Sequence, residues 1–181
     1  MGFALGGIQP QGSLEHTLTN MRKLDIRPKI YEVEMDELAS VHQELIKKAQ
    51  EATYKSYAPY SHFHVGCAVL LEDGTMVEGA NQENAAYPSG LCAERTALFH
   101  AGAVHPDKTV LAMAVAARGE NGAFTLQPTA PCGACRQVML ESQERGRSKI
   151  LILLYGAKRI IKAASVEDLL PLTFTYESLN G

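Results

Sequence analysis

A chain of 181 residues, 46% hydrophobic and 20% charged, is long enough for one domain with a full core and has an ordinary globular composition. Its formal net charge of −3 argues against a nucleic-acid-binding domain, which needs a basic face. No apolar run approaches the roughly 18 residues that span a membrane.

The first residues, Met1-Gly2-Phe3-Ala4-Leu5, lack an early positive charge and do not read as a signal peptide. Residues 1–34 show no clear hydrophobic period; their one stretch with helical character, 14–26, runs into Pro28. They read as an N-terminal extension that either wraps the domain or stays partly mobile, with a folded domain over 35–181. From Asp36, the three- and four-residue steps of Leu38, Val41, Leu45, Ala49 and Ala52 predict an amphipathic helix ending near Ser56. Strands over 64–71 and 75–80 flank Glu72-Asp73-Gly74, a hairpin signal. A second helix is expected over 92–103, with Ser89 and Gly90 as possible capping residues. A buried strand over 109–117 follows, then a loop leading into a helix over 131–144, and strands over 149–154 and 159–163. Ser165-Val166-Glu167-Asp168 resembles a capping box opening a short helix that stops before Pro171. Strands alternating with helices after a hairpin predict an α/β fold, a three-layer α/β/α sandwich around a central mixed five-stranded sheet.

Two short segments carry the chemistry: Cys92-Ala93-Glu94-Arg95 and Pro131-Cys132-Gly133-Ala134-Cys135-Arg136-Gln137. A Cys-x-x-Cys alone is equally a redox pair or half of a structural zinc site. With Cys92 upstream and no second Cys-x-x-Cys, the inventory becomes three thiolates, which suits a tetrahedral zinc whose fourth position stays open for water. Thiolates at helix N-termini are stabilised by unpaired N–H groups and the positive end of the dipole. Three of them on one Zn²⁺ leave a net negative charge, and Arg95 and Arg136 are candidates to offset it. Glu94 is too close to Cys92 in sequence to bind the same ion easily, but it can reach metal-bound water as a proton carrier; alone it would read as a helix-dipole carboxylate. His62 and His64 are not expected to be ligands. Cys67, Met139 and Leu140 read as core.

These segments, with Tyr60-Ser61-His62-Phe63-His64-Val65-Gly66, Asn81-Gln82-Glu83-Asn84-Ala85-Ala86-Tyr87 and Leu169-Leu170-Pro171…Phe174, occur in the order found in the small homotetrameric cytidine deaminases, which the chain resembles over about residues 36–177. The resemblance implies one zinc per subunit on Cys92, Cys132 and Cys135. It implies hydrolytic deamination of cytidine and 2′-deoxycytidine in pyrimidine salvage, with Glu94 moving the proton to ring N3 and on to the leaving ammonia. It also implies a ribose-binding pair in Asn81 and Glu83, and an aromatic, Phe63, packed on the nucleoside. Backbone groups around Ala93, Ala130 and Cys132 would hold the base, and Phe174 would reach a neighbouring subunit's site. Tyr60 and Tyr87 would line the site or an interface. A homotetramer acting on a free nucleoside in the cytoplasm, with no nucleic-acid or membrane partner, is the expectation. Two residues depart from the family pattern: Gln82, where an apolar residue is usual, and Ala130, where Ser commonly precedes Pro-Cys. The competing readings are a deaminase of another aminated ring or a nucleotide, a polynucleotide deaminase, which would need a basic track, and a non-catalytic zinc module with a closed metal site.

Overall fold

Along two central strands, alternate side chains point to opposite faces, and this sorts the core into two halves. The computed structural model describes residues 22–180. On β2 (His64–Leu71) and β4 (Val110–Arg118), Cys67, Val69, Leu71, Met113 and Val115 face one side, where they meet Ala97, Leu98 and Ala101 of α2 (Ala93–Val104) and Met139 and Leu140 of α3 (Gly133–Gly146). The interleaved Ala68, Leu70, Ala112, Ala114 and Ala116 face Leu45, Ile46 and Ala49 of α1 (Ser40–Ala52) on the other side. The expected three layers are present, and the alanine-rich face lets α1 sit close to the sheet.

Among the described residues the sheet has six strands in the order β1-β6-β5-β4-β2-β3. β3 (Met76–Ala80) pairs antiparallel with β2 through the expected turn, where Gly74 takes φ 88°. β4 and β5 (Leu151–Tyr155) are the parallel pair, joined by the crossover through α3. β6 (Ile160–Ala163) returns antiparallel to β5. The sixth strand corrects the expectation of five. β1 (Ile30–Val33) comes from the segment read as an extension and pairs antiparallel with β6, Ile30 opposite Ala163 and Val33 opposite Ile160. Two β-branched residues and a tyrosine suit a strand, and the Lys29 N–H donates to Asp168 Oδ1 at 2.7 Å, pinning the register.

Other boundaries move for identifiable reasons. The helix expected over 36–56 is α1 with single 3₁₀ turns on either side, Met35–Glu37 and Thr53–Lys55. The helix expected after Ser165 does not form. The Ser165 hydroxyl donates to Asp168 Oδ2 at 2.9 Å, while the other carboxylate oxygen is engaged by Lys29, so the box holds a single turn and a tertiary contact. Leu170, preceding Pro171, is also steered away from helical geometry. A short C-terminal helix, α4 (Tyr176–Asn180), was not signalled. Of the stretch considered for an N-terminal helix, residues 14–21 lie outside the described residues, and 22–26 carry no regular structure. Among the described residues no helix is long and apolar enough to cross a membrane.

Candidate active site

The metal-binding motif residues sit where two helices begin. Cys92, not Ser89 or Gly90, is the N-cap of α2, and Cys132 is the N-cap of α3, with Cys135 in the first turn of α3. Neither cap side chain accepts a backbone N–H of its own helix, so the first-turn N–H groups and the positive end of each dipole favour anionic sulfur nearby. α2 is seated by β3: a Cβ on Gly79 would lie 2.3 Å from the Ala97 nitrogen and 2.8 Å from the Ala93 oxygen. Only a glycine lets strand and helix approach this closely.

The three sulfurs converge. Cys92 Sγ lies 3.9 Å from Cys132 Sγ, and Cys132 Sγ lies 3.4 Å from Cys135 Sγ. All three lie within 4.8 Å of one another. Zinc–sulfur bonds of about 2.3 Å in a tetrahedron place the sulfurs about 3.8 Å apart, so the cluster fits zinc. With Cys135 and Arg95 donating to its sulfur, the Cys92 thiol is pulled down to about 5. The Cys135 thiol, donating to that thiolate and buried, is pushed far up. The fourth cysteine, Cys67, is fully buried in β2, where burial raises its thiol.

Glu94 is only 4% exposed. Burial lifts its carboxyl above the ordinary carboxylate range and the Cys92 thiolate adds to this, against a counter-pull from its own backbone N–H and Cys135. Arg95 Nη2 donates to Cys92 Sγ at 3.8 Å and to the Gly90 carbonyl at 3.3 Å, which places it beside the cluster. Arg136 does not stand there. One residue past Cys135, it is rotated about 100° around the helix and donates instead to the carbonyls of Pro131 at 2.9 Å and Leu169 at 2.7 Å.

A cleft of about 400 Å³ opens beside the cluster, lined among others by Tyr60, Asn81, Glu83, Tyr87, Cys92 and Arg95. Residues 81–83 are extended because both flanks bond to them: Tyr57 N–H to the Asn81 carbonyl at 3.0 Å, and Gln82 to Leu91 in both directions at 2.8 and 2.9 Å. This puts Asn81 and Glu83 on one side, with the Gln82 amide turned to the Lys55 carbonyl at 3.3 Å. The Asn81 amide bridges the entry to β2, accepting from Val65 N–H at 2.8 Å and donating to the Phe63 carbonyl at 2.9 Å. Phe63 is 37% exposed, Ala93 is fully buried at the head of α2, and neither lines the cleft. Phe174 is exposed on the C-terminal segment, its carbonyl taking a hydrogen bond from Gln137 Nε2 at 2.9 Å. Ser61, Asn84 and Leu91 also line the cleft without having been singled out, since nothing local distinguishes them from turn and core residues.

An α/β/α sandwich with a zinc-competent thiol trio at two helix N-termini and a buried carboxyl beside it defines the class of zinc-binding deaminases. Residues 39–150 match the family model for the cytidine and deoxycytidylate deaminase zinc-binding region, and the chain belongs to that family. It is 45% identical over 138 residues to a cytidine deaminase of Halalkalibacterium halodurans, covering 76% of this chain and 97% of that one. With a cytidine deaminase of Mycobacterium tuberculosis it shares 36% identity over 131 residues, 72% of this chain and 87% of the other. The crystal structure of a cytidine deaminase from Burkholderia pseudomallei superposes with a TM-score of 0.62 at 41% identity, covering 74% of this chain and 98% of that one.

Proposed function

We infer that this chain is a zinc-dependent enzyme that hydrolyses the C4 amino group of cytidine, giving uridine and ammonia. The observation that carries this reading is the opening of a cleft containing Asn81 and Glu83 beside three convergent thiols and the buried Glu94. Cys92, Cys132 and Cys135 hold the metal, one ion per chain. Bound there, zinc supplies a Lewis acid that brings the pKa of water toward neutrality. Glu94 takes a proton from the attacking water and passes it to ring N3 as C4 becomes tetrahedral. It then carries the second proton to the amino nitrogen; the C4–N4 bond breaks, ammonia leaves and C4 keeps the oxygen. The raised carboxyl supports this role, because it narrows the gap between holding and releasing a proton. Arg95 offsets the charge of the thiolates.

Asn81 and Glu83 bind the sugar, and 2′-deoxycytidine is accepted with cytidine. A nucleoside is favoured over a nucleotide because the charged groups on the cleft are Glu83, an anion, and Arg95, already committed to Cys92 and Gly90. Backbone groups near Ala93, next to Cys92 on the cleft wall, serve the base, and Phe63, whose carbonyl accepts from the cleft residue Asn81, borders the sugar site from outside the cleft lining. The catalytic domain runs over 35–181, preceded by an extension from which β1 pairs with β6. The proposed assembly is a cytoplasmic homotetramer in which Phe174 completes a neighbour's site; exposed apolar side chains such as Phe99, Val104 and Phe174 are available for contacts between copies.

The test is ultraviolet absorbance of the zinc-loaded protein with cytidine, 2′-deoxycytidine and 2′-deoxycytidylate. Conversion of the nucleosides is expected. Conversion of the nucleotide alone refutes the substrate, and no conversion at one zinc per chain refutes the activity. Light scattering with a parallel assay tests the assembly; a fully active monomer overturns the tetramer and the role of Phe174.

A further inference from the structure

The Glu83 carboxylate is gripped by the chain from a single direction. Its Oε2 accepts the Tyr60 N–H at 2.9 Å and the Ser61 N–H at 3.2 Å, and its Oε1 accepts the Ser61 hydroxyl. That hydroxyl is itself oriented, because the Phe63 N–H donates into Ser61 Oγ at 3.1 Å and leaves its proton for Glu83. The backbone makes this possible through His62, whose left-handed φ of 55° turns the chain sharply after Ser61. An ionised carboxylate offers about four lone-pair sites. Three are taken, two on Oε2 and one on Oε1, so the unfilled acceptor belongs to the oxygen that the Ser61 hydroxyl fixes.

We propose that Ser61 is the positioning residue for sugar recognition: its hydroxyl holds Glu83 so that the remaining lone pair of Oε1 faces the cleft and accepts a sugar hydroxyl. This rests on the reading of Glu83 as the sugar ligand. Ser61 acts through Glu83 and touches neither the ring nor the metal, so its effect falls on binding. Without it, Glu83 must be ordered anew each time substrate arrives, at a cost in affinity.

The experiment uses the zinc-loaded full chain and compares cytidine with 2′,3′-dideoxycytidine, which has neither sugar hydroxyl of the ring's lower edge. Ser61→Ala is expected to raise KM for cytidine about tenfold with kcat little changed. Ser61→Thr is expected to restore it. The loss in kcat/KM should vanish with the dideoxy substrate, and Ser61→Ala should add nothing in a Glu83→Ala background. Ser61→Cys, near in shape but a weak donor, should fall between, and it carries the test if the alanine variant does not fold. Equal losses on both substrates, or additivity with Glu83→Ala, would show that Ser61 only props the loop and would overturn the proposal. If Glu83→Ala leaves KM for cytidine unchanged, the sugar reading itself fails and this proposal falls with it. If the parent chain does not convert cytidine at all, the failure lies with the activity, and the proposal likewise falls.

Discussion

Gly79→Ala is the substitution that most directly tests how the fold positions the chemistry. The added Cβ would meet the Ala97 nitrogen at 2.3 Å, the Ala97 Cα at 2.7 Å and the Ala93 oxygen at 2.8 Å, all backbone atoms that no rotamer change can move aside. Ordinary contact needs about 3.5 Å, so α2 and β3 must separate by roughly 1 Å. Overpacking of this kind costs about 1–3 kcal/mol, occasionally more, and the strand entropy gained on replacing glycine, about 0.5–1 kcal/mol, offsets only part of it. In a chain of this length about 2 kcal/mol corresponds to a Tm lower by roughly 4–8 °C. Glu94 is the next residue after Ala93 on the same helix, so it moves with the clash, and a 1 Å misplacement costs on the order of 100-fold in turnover. The assay pairs thermal unfolding with kcat and zinc content. A variant with unchanged Tm and unchanged kcat would refute the claim that glycine is required for the seat of α2.

Glu94→Gln should keep zinc and fold while turnover falls by about 10²–10⁴-fold; retained deamination would remove Glu94 from proton transfer. Arg136→Ala should lower stability by about 1.5–3 kcal/mol, because the Pro131 and Leu169 carbonyls lose a charged donor. It should also leave zinc stoichiometry at one, and loss of metal in that variant would return Arg136 to the cluster. Asp168 carries a pH prediction. Its burial works to raise its carboxyl, but hydrogen bonds from the Lys29 N–H and Ser165 together hold it below the ordinary 3.8. A depressed folded pKa stabilises above the unfolded value, and that contribution is lost as pH falls through the folded one. Asp168→Asn should therefore be less stable than the parent by about 1 kcal/mol at pH 7, with the gap in urea melts shrinking as pH falls below the ordinary carboxylate range and through the folded value; a gap that persists in strong acid contradicts the assignment.

The thiol cluster was legible because its parts are local. Cys132 and Cys135 share one helical turn, and Cys92 and Glu94 share another, so spacing fixes each pair; that the two turns, forty residues apart, meet at one site followed from the resemblance in motif order. The hairpin at Gly74 and the alternation in β2 and β4 were legible for the same reason. β1 was not, because four residues, Ile30-Tyr31-Glu32-Val33, acquire a strand's identity only from β6 at the far end of the chain. The Ser165–Asp168 pair looked like a helix start because its local chemistry is that of a cap; its second partner, Lys29, is equally distant. Arg136 is adjacent in sequence to Cys135 of the cluster and yet points away, to the Pro131 and Leu169 carbonyls, which helix rotation could have foretold. The grip of Ser61 on Glu83 spans 22 residues and two turns, and no periodicity encodes it.

The pairing of β1 with β6 also has a consequence for the order in which the molecule is made. Ile30 must wait for Ala163, and at synthesis rates of about 5–20 residues per second the partner strand follows after roughly 7–27 seconds. For that interval the segment has no sheet to join, while the hairpin of β2 and β3 can close as soon as it emerges. The last sheet contacts to form thus join strands at opposite ends of the sheet's sequence order. A refolding experiment with probes at Tyr31 and in the hairpin should see the strand dock after the core, and its rate, rather than that of the core, should set when the β1–β6 pairing becomes protected.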